Sequence, residues 1–162
     1  MANLKGRVET EVELKASPEQ FYNMWRRTAH HLPNAAGHHI KAVEVHEGDW
    51  DTHGAVKFWN YTLDGKEETF KERLEFDDAT KTIKLVGLEG DVFKYYKTFT
   101  PIYELAPKGQ GSVAKATIEY EKLSEDVPAP DRYLGQRRFS MLEWSLDLER
   151  SKPALLIKVL YK

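Results

Sequence analysis

The chain has no cysteine among its 162 residues. A disulfide framework, a thiolate nucleophile and a cysteine-ligated zinc centre are thereby excluded together. It also lacks any apolar run near the ~20 residues that a membrane-spanning helix needs. The opening Met1-Ala-Asn-Leu-Lys-Gly-Arg7 holds no apolar stretch of the secretory kind. Cytoplasm is the expected compartment. No charge of one sign dominates, since 24 Lys and Arg stand against 26 Asp and Glu. That balance speaks against a broad phosphate-binding surface, so nucleic acid is not an expected partner.

What the chain does have is aromatic material: 4 Trp, 8 Tyr and 7 Phe, enough to fill a core or to wall a cavity. Length favours a single domain over 1–162. In the first segment Val8, Thr10, Val12 and Leu14 point one way and Glu9, Glu11 and Glu13 the other, the alternation of a strand with one wet face. Ala16-Ser-Pro-Glu-Gln-Phe21 then starts a helix, with Ser17 as N-cap, Pro18 at the first helical position and Gln20 at the capping-box position. Phe21, Met24 and Trp25 recur at helical spacing. Pro33 and Gly37 leave room for a second brief helix or turn over Thr28 to Gly37.

From Ile40 the pattern is strand after strand: Ile40 to Glu47, Ala55 to Leu63, then Glu67 to Phe76 after an Asp64-Gly65 type I′ hairpin. Ile83, Leu85 and Gly87 continue the inner face. A strand beginning at Phe93 carries aromatics on both faces, and Ala114, Ala116, Ile118 and Tyr120 mark the last one. Leu134, Arg138, Met141, Ser145 and Leu148 share a helical stripe that predicts a helix from about Asp131 to Glu149, with Pro153 ending or kinking it. The apolar Ala154 to Tyr161 must then dock, pair as an extra strand or stay exposed.

Seven strands, two short helices and one late long helix predict an α+β fold. A strongly curved antiparallel sheet grips the long helix around an apolar cavity. The candidate ligand-binding residues are Tyr22, Trp25, His39, Phe58, Phe70, Leu85, Tyr95, Phe99, Ile118, Phe139 and Leu142. The loop Gly48-Asp-Trp-Asp-Thr-His-Gly54 would form the cavity rim through Gly48, Trp50, His53 and Gly54. It lacks the Gly-Lys-Ser or Gly-Lys-Thr ending of a nucleotide-binding loop and lies between strands.

No metal site is expected from His30, His31, His38, His39, His46 and His53, whose adjacent pairs form no His-Glu-x-x-His array. No cofactor is expected either. Glu68, Glu72 or Lys97 could exchange a proton if buried. Tyr22, Tyr61, Tyr95, Tyr96, Tyr103, Tyr120 and Tyr133 could orient a polar group on a guest. Alternation alone does not decide which of these are buried, so no catalytic residue is assigned.

Several segments together carry a resemblance. Lys5-Gly-Arg-Val-Glu-Thr-Glu-Val-Glu-Leu-Lys-Ala-Ser17, Phe21-Tyr22, Val45-His-Glu-Gly-Asp-Trp50, Phe58-Trp-Asn-Tyr61, Asp64-Gly-Lys66, Lys71-Glu-Arg73, Glu89-Gly-Asp91 and Glu119-Tyr-Glu-Lys122 resemble the major latex protein-like branch of the plant Bet v 1 and pathogenesis-related superfamily. The similarity runs from about Lys5 to Leu134; the segment after Glu149 departs from the family's ending. It implies a START-like helix-grip fold around an apolar cavity. It further implies a mostly cytosolic protein tied to defence and stress responses that carries sterol-like, hormone-like or other hydrophobic compounds. The expected partner is therefore a hydrophobic small molecule, and the expected state a monomer or weak dimer. Related branches include alkaloid-forming enzymes, so an isomerase or lyase role is the alternative reading. A protein-interaction module using the apolar C-terminal tail is a third.

Overall fold

Glu9, Glu11 and Glu13 lie on the solvent side of the first strand, and Val12 and Leu14 on its buried side. That single alternation sets which way the whole sheet faces, because each neighbour must bury the same side. The computed structural model describes residues 3–27 and 40–160, with side chains in the last helix described as far as Ser145 and at Leu148. The second short helix expected over Thr28 to Gly37, and His30, His31, His38 and His39, lie outside the described residues.

Seven antiparallel strands follow one another in the spatial order β1-β7-β6-β5-β4-β3-β2. They are β1 (Lys5–Leu14), β2 (Ile40–Glu47), β3 (Val56–Leu63), β4 (Lys66–Asp77), β5 (Thr82–Gly90), β6 (Tyr96–Lys108) and β7 (Gly111–Lys122). Helix α1 (Pro18–Arg27) follows β1, and α2 (Asp131–Leu160) closes the chain. This is the α+β helix-grip arrangement that the pattern predicts.

Local chemistry fixes the boundaries. Ser17 Oγ accepts from the Gln20 N–H at 3.2 Å while Gln20 Oε1 accepts from the Ser17 N–H at 2.9 Å, a reciprocal capping box that starts α1. Asp64 and Gly65 take φ of 50° and 80°, the left-handed pair a two-residue hairpin requires between Leu63 and Lys66. Pairing of β5 with β6 is confined to Thr82, Ile83 and Lys84 against Glu104, Tyr103 and Ile102. The next β6 residue is Pro101, which has no N–H to give to the ladder.

Two expectations are corrected. The strand expected from Phe93 begins later: Asp91–Lys94 form a 3₁₀ turn and β6 starts at Tyr96. The aromatics on both faces reflect this break, because a register shift between Tyr96 and Thr98 inserts Lys97 and brings Tyr96 and Phe99 to the same side. Pro153 does not end the last helix, which runs on to Leu160. One proline removes one hydrogen bond, and the helix formers Lys152, Ala154, Leu155 and Leu156 beside it resume the ladder. The tail is therefore helical rather than an added strand.

Candidate functional site

Trp25 of α1, fully buried, lies at the centre of an aromatic cluster. Its ring stands 5.5 Å from Trp59 of β3, 5.2 Å from Tyr103 of β6 and 5.3 Å from Trp144 of α2. One helix turn after the capping box thus delivers the side chain that joins sheet, first helix and last helix.

A cavity opens beside this cluster, between the concave sheet face and the two helices. Ile40, Trp59, Tyr61, Phe70, Glu72, Leu85, Val92 and Phe99 line the sheet side; Trp25 comes from α1, and Tyr133, Gln136, Arg137, Ser140 and Trp144 from α2. Its volume is about 60 Å³. The aromatic walls therefore stand close together, and a guest larger than a few waters enters by moving side chains apart.

Polar groups in these walls are few and unusual. The indole N–H groups of Trp25 and Trp144 are buried without a hydrogen-bond partner, while the Trp59 N–H faces the Glu72 carboxyl. Buried donors in a folded protein are almost always paired, so two orphaned indoles among the lining residues mark a place for an acceptor. Arg137 donates from Nη1 to the Tyr103 hydroxyl at 2.9 Å, and its guanidinium lies 6.0 Å from the Phe70 ring centre. Burial pushes the Glu72 carboxyl up to about 7, against the opposing pull of Arg137, Lys57 and the Trp59 N–H. Lys57, directly across the β3–β4 ladder from Glu72, is held down to about 8 by its own burial, with Glu72 and Asp51 opposing. Its ammonium donates to the Trp50 carbonyl at 2.9 Å and sits 5.2 Å from the Trp50 ring centre.

At the rim, Glu68 Oε1 accepts from the Tyr61 hydroxyl at 2.9 Å and the Tyr133 hydroxyl at 3.0 Å. Burial and the Glu68 charge push both phenols upward, so they remain donors. Gln136 Nε2 donates to the Thr62 carbonyl beside them. These bonds fasten the start of α2 across the end of the β3–β4 hairpin.

Of the candidate ligand-binding residues, Trp25, Phe70, Leu85 and Phe99 line the cavity. The others do not. Tyr22 is buried but aims its hydroxyl at Asp78 Oδ1, 2.5 Å away on the β4–β5 turn, beside Arg26. Phe58 lies on the opposite sheet face, stacked 5.1 Å from His46, because it adjoins Trp59 and consecutive strand residues cannot face the same side. Tyr95 and Phe139 are on the surface, the first after the 3₁₀ turn and the second on the outer side of α2. Ile118 and Leu142 pack in or against the core away from the cavity wall. His39 lies outside the described residues.

The expected rim loop is tied to β4 instead of bordering the cavity. His53 Nδ1 accepts from the Phe76 N–H at 3.1 Å, the Gly54 N–H donates to the Leu74 carbonyl at 2.7 Å, and the Gly54 carbonyl accepts from Arg73 at 2.9 Å. Trp50 reaches inward only far enough to cover Lys57. Of the proton-exchange candidates, Glu72 lines the cavity, Glu68 sits at its rim, and Lys97 is exposed in an ion pair with Glu121.

Sequence reasoning missed Lys57 and Arg137. For Lys57 the signal was parity, since it alternates with Ala55, Trp59 and Leu63. For Arg137 it was spacing: Tyr133, Arg137, Ser140 and Trp144 fall on one helical stripe, turned from the predicted stripe by one residue.

The Bet v 1 family model, described as the pathogenesis-related protein Bet v 1 family, matches residues 3–145. The chain belongs to this family. Among relatives, it is similar to MLP-like protein 328 of Arabidopsis thaliana, 45% identical over 130 residues, spanning 80% of this chain and 86% of that one. It is also similar to major latex protein 22 of Papaver somniferum, 37% identical over 138 residues that cover 83% of this chain and 85% of the other. Among solved structures, ginseng major latex-like protein 151 from Panax ginseng superposes with a TM-score of 0.85 at 27% identity, over 89% of this chain and 97% of its own. Like its relatives, this Bet v 1 family chain is a helix-grip protein with the long helix laid over a curved sheet.

Proposed function

We propose that this protein binds a hydrophobic or amphipathic small molecule in the cavity between sheet and α2, in a plant defence or stress response. The observation that carries this reading is the coincidence of an apolar aromatic chamber with the unpartnered indole donors of Trp25 and Trp144 among its lining residues. Apolar walls supply affinity at about 25 cal/mol per Å² buried, and a few aimed polar groups orient the guest. The family's name and the plant sources of its relatives support the defence setting. The near balance of charge supports a protein without a nucleic-acid partner, and the resemblance to a mostly cytosolic family supports a cytoplasmic one. We read it as a monomer or weak dimer.

Titration with the neutral apolar fluorophore N-phenyl-1-naphthylamine tests the reading. Saturable one-site binding is expected, and Leu85→Trp, which fills the chamber, is expected to abolish it. Binding that never saturates, or that survives the filled chamber, removes the carrier function.

The buried Lys57 and Glu72 favour a second reading, an isomerase or lyase, because an acid and a base lie at one end of the chamber. Turnover of an alkaloid-like carbonyl substrate, lost in Glu72→Gln, is its test; a rate equal to the uncatalysed one at every pH between 5 and 9 excludes it.

A further inference from the structure

The charged side chains around the chamber do not cancel. Arg137 lines it from α2, and among the described residues no carboxylate lies within 4.0 Å of its guanidinium; its one hydrogen-bond partner is the neutral Tyr103 hydroxyl. Lys57, across the ladder from Glu72 on the same sheet face, is wholly buried and lies outside the lining itself. Against these two cations the lining offers the single carboxylate of Glu72. Glu68, at the rim, is already engaged by two phenol hydroxyls.

Hydrogen-bonding capacity is lopsided in the same direction. Among the lining residues, the indole N–H groups of Trp25 and Trp144 have no partner, and the Trp59 N–H faces Glu72. These two donors and Arg137 share one lining with Phe70, Leu85, Val92 and Phe99. A neutral hydrocarbon would leave every one of these donors unsatisfied, and an ammonium would be repelled by Arg137. A planar anion can accept from a guanidinium and from indoles at the same time.

Resting on the cavity reading above, we propose that the guest is an apolar molecule with a carboxylate head. Its head sits on Arg137 and the indole N–H groups of Trp25 and Trp144, and its apolar body lies against Phe70 and Phe99. Glu72 sets the condition for entry. A second carboxylate is tolerated beside it only when Glu72 is protonated, so uptake of the acid carries a proton with it. The groups facing Glu72 are Lys57 and the Trp59 N–H from β3, Arg137 from α2 and Tyr103 from β6, while β5 places Gly87 opposite it. Both cations favour the ionised form of Glu72, and its burial outweighs them.

Calorimetric titration with three probes of one skeleton separates head from body: 4-phenylbutanoic acid, 4-phenyl-1-butanol and 4-phenylbutylamine. At pH 6 the acid is expected to bind at least about tenfold more tightly than the alcohol, as a desolvated charge-assisted contact requires. Arg137→Met is expected to erase that preference, bringing the ratio of acid to alcohol affinity to about one. The preference should shrink from pH 6 to pH 8 in the native protein and persist across that range in Glu72→Gln. Trp144→Phe, which keeps a ring and loses the N–H, should weaken the acid more than the alcohol, and serves if the Arg137 variant does not fold. Equal affinity for acid and alcohol, or tightest binding of the amine, overturns the carboxylate head and leaves the carrier reading standing. Binding of none of the three, together with failure of the neutral fluorophore, overturns both.

Discussion

Lys57 and Glu72 stand opposite one another on β3 and β4 and are both shut away from solvent, at 0% and 1% exposure. Each is held toward its neutral form by burial, and each partly restores the charge of the other. A buried cross-strand pair of this kind costs stability when ionised, so it marks a place where composition was not chosen for stability alone.

The first expected outcome is a pH dependence with a defined sign. Glu72 titrates near 4.5 unfolded and about 7 folded, so between those values the folded chain holds a proton that the unfolded chain has lost. Stability falls as pH rises across that window, by about 3 kcal/mol if the whole difference is expressed. Lys57, lowered from 10.5 to about 8, acts in reverse: the unfolded chain holds the extra proton, so stability recovers from about pH 8 to 10.5. Urea unfolding at pH 5 and pH 7.5 should show a smaller decline for Glu72→Gln than for the native chain; equal declines would remove Glu72 as the source.

Trp25→Ala should be among the most damaging single changes. The side chain is 2% exposed and touches aromatic rings from β3, β6 and α2, so truncation leaves a void where three elements meet. A loss of about 3–5 kcal/mol is expected from chemical denaturation, and Trp25→Phe should recover a good part of it. A loss below about 1 kcal/mol for the alanine variant would show that the cluster does not hold the elements together.

Two glycines with positive φ should respond differently to alanine. Gly90 takes φ 137°, and a Cβ there would run into the Thr69 carbonyl, whereas Gly54 takes φ 83° with nothing within 4 Å. Gly54→Ala should cost about 1 kcal/mol of backbone strain, and Gly90→Ala more than about 2 kcal/mol because β4 must also shift. Thermal unfolding of the pair decides it, and a reversed order contradicts the close approach at Gly90.

Ser17→Ala removes one arm of the capping box, the acceptor of the Gln20 N–H. The expected loss is about 1 kcal/mol, with α1 fraying at its first turn. Amide exchange at Gln20 should quicken before exchange in the middle of α1; unchanged protection there would mean that sheet packing alone holds the helix start.

Much of the fold was legible along the chain because its causes are local. The β1 alternation, the Ser17 capping box and the Asp64-Gly65 hairpin each follow from residues within a few positions of one another, and together they set strand count, helix starts and the buried face. Resemblance of the motifs between Lys5 and Lys122 supplied the helix grip. The cavity wall was less legible: Trp25, Phe70, Leu85 and Phe99 were placed in it, and Tyr95, Phe58 and Phe139 were misplaced. Each miss has a physical origin, in the bulge at Lys97, the strict alternation about Trp59 and the rotation of α2 about its own axis.

By itself the sequence determined the elements and the side each strand must bury, since hydrogen-bond caps, turn dihedrals and period-two patterning act over a few residues. Only the tertiary structure decided which polar groups are trapped inside. Lys57, Glu72 and Arg137 come from three separate elements, and no local rule says that β3, β4 and α2 will close around them. Burial is a property of the assembled layers, and the altered acidity of Glu72 and the orphaned indoles exist only once those layers exclude water.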